Sequence, residues 1–201
     1  KLEAVQLSDV LKAMDLNYID WLKIDTQGTD LRLFKSLPQP IRNKVLAAEF
    51  EPGIIDAYKG EDKLYQLIDY MSHSPFFMSD IEVKGVQRIS YEAFSKLSGL
   101  NKKAVKSAHK ISPGWAEVCY LNTMKDSGFD VRSYLLAYVF ALVEKQYGFA
   151  LEIASQGKLK SQDVFFDDLA SYASRKLSHI KLSWPLSAIK NRVNKVLDVI
   201  V

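Results

Sequence analysis

The segment Leu22-Lys23-Ile24-Asp25-Thr26-Gln27-Gly28 sets a carboxylate directly after an apolar stretch and just before a glycine turn. In an open α/β sheet, ligands bind at the carboxyl ends of strands, so an acid at such a junction faces a crevice. There Asp25 can accept hydrogen bonds from a cationic or amino group, hold a metal, or take a proton as a base. The alternative is that it only closes its own turn, as Asp commonly does. A second acidic segment, Ala48-Glu49-Phe50-Glu51-Pro52-Gly53, ends the next apolar stretch. Strand side chains alternate, which points Glu49 and Glu51 to one side, and a carboxylate among Val, Leu, Ala and Phe is costly without a partner. A ligand or an ion pair with a Lys or Arg at the sheet end would meet that need. The third group is basic: residues 96–110 hold five lysines, His109 and no acid. Lys102, Lys103, Lys106 and Lys110 suit a phosphate or an acidic glycan, or else form a solvated surface loop. His109 is the histidine best placed for proton transfer, whereas His73 and His179 have no evident role. Asp80-Ile81-Glu82-Val83-Lys84 puts an acid two residues before a lysine on one strand face, a Glu-x-Lys pattern that metal-dependent nucleases use. Cys119 alternates within a strand and reads as core packing.

These groups need elements to position them. Leu7, Val10, Leu11 and Met14 have helical spacing, with Ser8 expected as N-cap. Residues 18–24 read as a strand, the turn follows, and a helix runs to Leu37 before Pro38 stops it. Residues 44–50 read as a second strand, with Leu64, Leu67, Ile68 and Met71 as the inner stripe of the next helix. Residues 76–83 make a third strand closed by Gly85. Such alternation argues for parallel β-α-β units. Ser112-Pro113-Gly114 then leads into a fourth strand at 115–121, expected to pair antiparallel with the third, so the basic stretch is an insertion between two strands. Beyond Asn122 only helices are expected: residues 131–155 with Gly148 as a weak point, residues 163–177, and a third starting at Pro185. Leu186, Ile189, Val193, Val196 and Ile200 line one face of that last helix over about two heptads, short of a coiled coil. It is expected to pack on a core, with homo-oligomerisation through the helical extension as the alternative.

The chain has 201 residues, 48% of them apolar and 25% charged, with 23 aromatic rings and a net charge of +3. That composition excludes a wholly disordered chain. A single cysteine excludes an intramolecular disulfide framework and a cysteine-rich zinc site, and fits a reducing, cytoplasmic setting. The longest apolar run covers ten residues, 134–143, about half of the ~20 that span a bilayer, so no membrane partner is expected.

The strand ending Leu22-Lys23-Ile24-Asp25-x-x-Gly28, the helix Thr29-Asp30-Leu31-Arg32-Leu33-Phe34-Lys35-Ser36-Leu37 and the strand ending Ala48-Glu49-Phe50 together resemble the C-terminal half of FkbM-type methyltransferases. Leu7-Ser8-Asp9-Val10-Leu11 resembles the family's preceding helix, and residues 115–121 its final antiparallel strand, so the resemblance covers residues 5–122 or so. It implies an α/β fold: the C-terminal part of a Rossmann-like methyltransferase sheet over residues 1–122, with a helical C-terminal extension over 123–201. It also implies an S-adenosylmethionine-dependent O-methyltransferase acting on a hydroxyl of a sugar, glycan or natural product, with no nucleic-acid partner. By that resemblance Asp25 borders the transferred methyl as the catalytic residue, and Asp25, Thr26, Gln27 and Gly28 belong to the cofactor site. Glu49 and His109 fall to the substrate, with no metal expected. Two features depart from the family. Gln27 stands where it has Glu, and its glycine-rich cofactor loop has no counterpart, since no Gly-x-Gly occurs and the first glycine is Gly28. The chain therefore reads as a fragment, inactive by itself. Two other readings stand beside this one: a non-catalytic α/β remnant with a helical interaction module, and a metal-dependent nuclease.

Overall fold

The computed structural model describes residues 4–107, 110–125 and 128–178. The first helix, α1 (Leu7–Ala13), buries Leu11. Gln6 rather than Ser8 is its N-cap, because the turn already begins at Leu7, and no side chain caps it. Strand β1 (Trp21–Lys23) is the short inner part of the expected 18–24 stretch. Helix α2 (Asp30–Ser36) ends before Pro38, whose ring forces the preceding Leu37 into extended backbone. A four-residue helix, α3 (Gln39–Arg42), then leads to β2 (Ala47–Phe50). In α4 (Leu64–Ser72) the stripe is Leu67 and Met71, flanked by Leu64 and Tyr70. Ile68, expected inside, is 41% exposed: at 100° per residue it falls on the rim of the Leu67 and Met71 stripe. Strand β3 (Phe76–Val86) runs past Gly85 to pair with the long β4 (Ser112–Asn122). Between them the basic insertion is not a plain loop but folds into α5 (Tyr91–Ser95) and α6 (Gly99–Ser107). His109 lies outside the described residues.

The sheet order is β1-β2-β4-β3. β1 and β2 are parallel, and β4 runs antiparallel to both of its neighbours, β2 and β3. The architecture is thus α/β with a mixed, open four-stranded sheet, and the reversed last strand is where the sequence put it. Alternation along the strands feeds two cores. Ala48, Phe50, Val118 and Tyr120 face α1, α2 and α4. Ala47 and Leu121, with Trp21 and Phe77 beside them, face the helices that follow: α7 (Val131–Val143), α8 (Tyr147–Ser161) and α9 (Phe165–Ser178). Edge-on ring contacts join the layers, Trp21 to Phe140 at 4.7 Å and Phe77 to Phe149 at 4.8 Å. Helices α7, α8 and α9 therefore cover the second face of the sheet.

The expected helix over 131–155 is two helices. Lys145 takes a left-handed backbone (φ 57) that closes α7, and the Gln146 side chain reaches over to donate to the Ser79 carbonyl at 2.6 Å. Ser79 is the extra residue of a bulge in β3, where pairing shifts between Met78 and Asp80. The break thus follows from docking on the sheet edge and not from Gly148, which sits inside α8. Among the described residues no helix is long and apolar enough to cross a membrane. The helix expected from Pro185, with its stripe to Ile200, lies outside the described residues, as does His179.

Candidate functional site

Because β1 and β2 are parallel, their carboxyl ends open on one edge of the sheet, and a cavity of about 680 Å³ lies there. Asp25, Gln27 and Gly28 from the first strand end line it together with Glu51 from the second. Tyr58 and Glu61 from the following loop, Arg88 after β3 and Trp115 of β4 complete the wall.

The turn after β1 is built by local strain and distant anchors. Gln27 (φ 55) and Gly28 (φ 104) are both left-handed, and the value at Gly28 is one that side chains avoid. A Cβ there would also lie 2.6 Å from the Cβ of Glu61. The Gly28 carbonyl accepts from the Asp62 amide and from Arg32 Nη2, both at 2.8 Å. Asp62 in turn accepts from the Arg32 amide and from Arg32 Nε, each at 3.0 Å, so one arginine ties the loop across the turn. Glu61 accepts from the amides of Ala57 and Tyr58 and from Lys63 Nζ. Burial alone would push its carboxyl up, but Lys63 and the two amides outweigh that and hold it below the usual range.

Asp25 is exposed, and its Oδ1 accepts from Gln27 Nε2 at 2.8 Å. Tyr58 donates its hydroxyl to Gln27 Oε1. The phenol fixes the amide orientation, leaving its nitrogen to hold the carboxylate. Glutamine, where the resembled family has glutamate, therefore supplies a donor to Asp25 that a second carboxylate would not. Glu51 shares the cavity, and burial and then the nearby Asp25 raise its carboxyl above the ordinary value, with Lys23 acting the other way.

The other expected site residues are placed differently. Thr26 does not line the cavity; its amide and hydroxyl both donate to Asp30 Oδ1, at 3.0 and 2.6 Å. Glu49 does not line the Asp25 cavity, but it lines one recess together with Glu51, as alternation implied. Glu51, just past the end of β2 at Phe50, borders both that recess and the Asp25 cavity. In that recess of about 250 Å³ Glu49 faces α7, accepting from Trp21 Nε1 at 2.6 Å and pairing with Lys23 at 3.2 Å. It has the ion pair that was the alternative to a ligand, and Lys23 is raised by the same bond. Lys84 pairs with Glu82 at 2.8 Å and Glu117 at 3.6 Å, which binds the Glu-x-Lys pair to itself. Cys119 is buried, which pushes its thiol up to about 12, so it stays protonated in the core.

Sequence reasoning missed Asp30. It is 1% exposed and receives two bonds from Thr26 and one, at 2.8 Å, from the Glu51 amide, so one carboxylate joins the two strand ends that carry the site. The signal was present: Asp30, Phe34 and Leu37 fall at i, i+4, i+7, and an acid in phase with a buried apolar stripe needs partners. Tyr58, Arg32 and Asp62 carried no comparable signal, since each acts across the loop between β2 and α4. No protein-family model, curated protein or solved structure matches the chain.

Proposed function

We propose that this chain is the acceptor side of an S-adenosylmethionine-dependent O-methyltransferase, with Asp25 as the group that receives the acceptor's hydroxyl proton. The observation that carries the reading is the exposed Asp25 carboxylate at the carboxyl end of a parallel strand, opening on a cavity within the ~300–1,000 Å³ range of small-molecule sites. The motif resemblance over residues 5–122 and the reversed last strand support it. The donor set also fits the cationic end of the cofactor. Asp25, Glu51, Tyr58 and Trp115 line one cavity, and carboxylates and aromatic rings are the groups that attract a sulfonium or ammonium. Burial and then the neighbouring Asp25 raise the Glu51 carboxyl, and a bound cation would offset the second of these.

The cofactor supplies an activated methyl on a positively charged sulfur, so the protein's work is alignment and proton removal. Tyr58 and Gln27 hold the Asp25 carboxylate through two successive hydrogen bonds. Asp25 accepts the hydroxyl proton as the oxygen becomes nucleophilic, and Asp30 keeps the two strand ends in register. The test is Asp25→Asn in the full protein, assayed with methyl-labelled cofactor. Methyl transfer is expected to fall by about a hundredfold or more, within the ~10²–10⁴ contributed by a positioned base. The melting temperature should hardly move, since Asp25 is exposed with one side-chain partner. Undiminished turnover would remove Asp25 from the chemistry.

A further inference from the structure

We infer that Arg88 is an anion-binding group of the Asp25 cavity, and that the acceptor held there carries a phosphate or carboxylate besides the hydroxyl it offers to Asp25. The hydroxyl half of this statement rests on the methyl-transfer reading; the anion half does not. Among the described lining residues Arg88 is the one cation, and it faces a cavity whose other charged walls are acids. Glu61 is already matched by Lys63, which leaves Asp25 and Glu51 as the acids at the strand ends. Arg32, Arg42 and Arg132 are committed to carboxylates or carbonyls of the protein. Arg88 has no hydrogen bond or ion pair among the described residues, so its five donors are available, and a guanidinium matches a phosphate or carboxylate with two parallel bonds.

Its backbone is fixed from both sides. Val86 pairs with Ser112 and the Gln87 side chain donates to the Lys110 carbonyl, closing the base of the insertion just before it. Just after it, Ser90 caps α5 by accepting from the Ala93 amide at 3.2 Å. The insertion it begins is strongly polarised. Residues 88–110 hold six basic residues and one acid, a net +5 in a chain whose total is +3, so all other residues sum to −2. One cation and the strand-end acids in one cavity orient a ligand: its anion is drawn to Arg88 and away from Asp25 and Glu51, which leaves an uncharged hydroxyl for the acid end.

The experiment titrates the protein with glucose, glucuronate, glucose 6-phosphate and inorganic phosphate, following the Arg88 side-chain Nε–H resonance and the affinities by NMR. The two anionic sugars should bind at least about tenfold tighter than glucose, the least that one charge-assisted paired contact provides. Inorganic phosphate should shift the Arg88 signal. Arg88→Gln should erase the preference and Arg88→Lys should restore part of it. Lys12→Gln removes the same charge from an exposed site on α1 and should leave the preference intact. Equal affinities, an unmoved Arg88 signal, a preference that survives Arg88→Gln, or an equal loss in Lys12→Gln would each overturn the assignment. Binding needs no cofactor, so failed methyl transfer would leave this comparison standing, and failed discrimination would leave the Asp25 reading standing.

Discussion

Replacing Asp30 by asparagine keeps the shape of the side chain and reverses one of its hydrogen-bonding ends. In the structure both carboxylate oxygens are acceptors: Oδ1 takes the Thr26 amide at 3.0 Å and the Thr26 hydroxyl at 2.6 Å, and Oδ2 takes the Glu51 amide at 2.8 Å. An asparagine has one acceptor oxygen, so whichever way it turns, its NH2 group meets an N–H or O–H donor. Keeping the two Thr26 bonds strands the Glu51 amide, and a lost bond to a charged acceptor is worth ~1.5–3 kcal/mol. The surviving bonds also weaken without the charge, which brings the expected loss to about 3 kcal/mol at a side chain only 1% exposed. For a chain of this length, ~2–4 °C per kcal/mol converts that to a drop in melting temperature of about 6–12 °C. The assay is thermal unfolding at neutral pH, paired with amide hydrogen exchange at Thr26 and Glu51, where protection should fall together. Asp30→Ala should cost more, since all three donors lose their acceptor. A melting temperature within about 2 °C of the parent for Asp30→Asn, with both amides still protected, would refute the claim that this carboxylate holds the strand ends together.

Gly28→Ala should destabilise by about 2–6 kcal/mol, because backbone strain of ~1–3 adds to a Cβ forced against Glu61, and overpacking of that kind costs ~1–3. Gly60→Ala is its control: φ is +70 but nothing lies within 4 Å, so chemical denaturation should show only the ~1–2 kcal/mol of a left-handed alanine. Glu51→Gln should raise the melting temperature slightly at neutral pH, by about 1–2 °C given the small effects of half-exposed charges. The sign follows from a folded-state carboxyl raised above its unfolded value: its contribution is fully present below the unfolded pKa and is lost as pH rises through the folded one. The gain from the glutamine should therefore fade as pH falls below the ordinary carboxyl range, and a gain that grew on acidification would contradict a Glu51 carboxyl raised by burial and by Asp25.

What was legible in the sequence was whatever local chemistry decides. Pro38, Gly28, Pro52-Gly53 and Ser112-Pro113-Gly114 punctuate apolar stretches of strand or helix period. From these came the alternation of β1, α2, β2 and α4, the reversed β4, and the place of Asp25 at a strand end. What was not legible was decided between residues far apart in the chain. Glu144, Lys145 and Gln146 are acceptable helix residues, and the helix breaks there because Gln146 finds the bulged Ser79 carbonyl 67 positions away. Glu49 and Glu51 share a recess as a period of two implies, but the partners that hold Glu49, Trp21 and Lys23, come from the neighbouring strand 26 to 28 positions away. The same division explains the site itself. Asp25 is exposed and nearly independent, so its position could be read from one strand and one turn. The groups that aim it, Tyr58 through Gln27 and Asp30 through Thr26 and Glu51, come from segments 21 to 31 residues apart and are visible only once the strands are side by side. An acid that acts on a ligand must be exposed, whereas the acid that positions it must be buried and fully bonded. In the proposed reading these are Asp25 and Asp30, five positions apart in the chain.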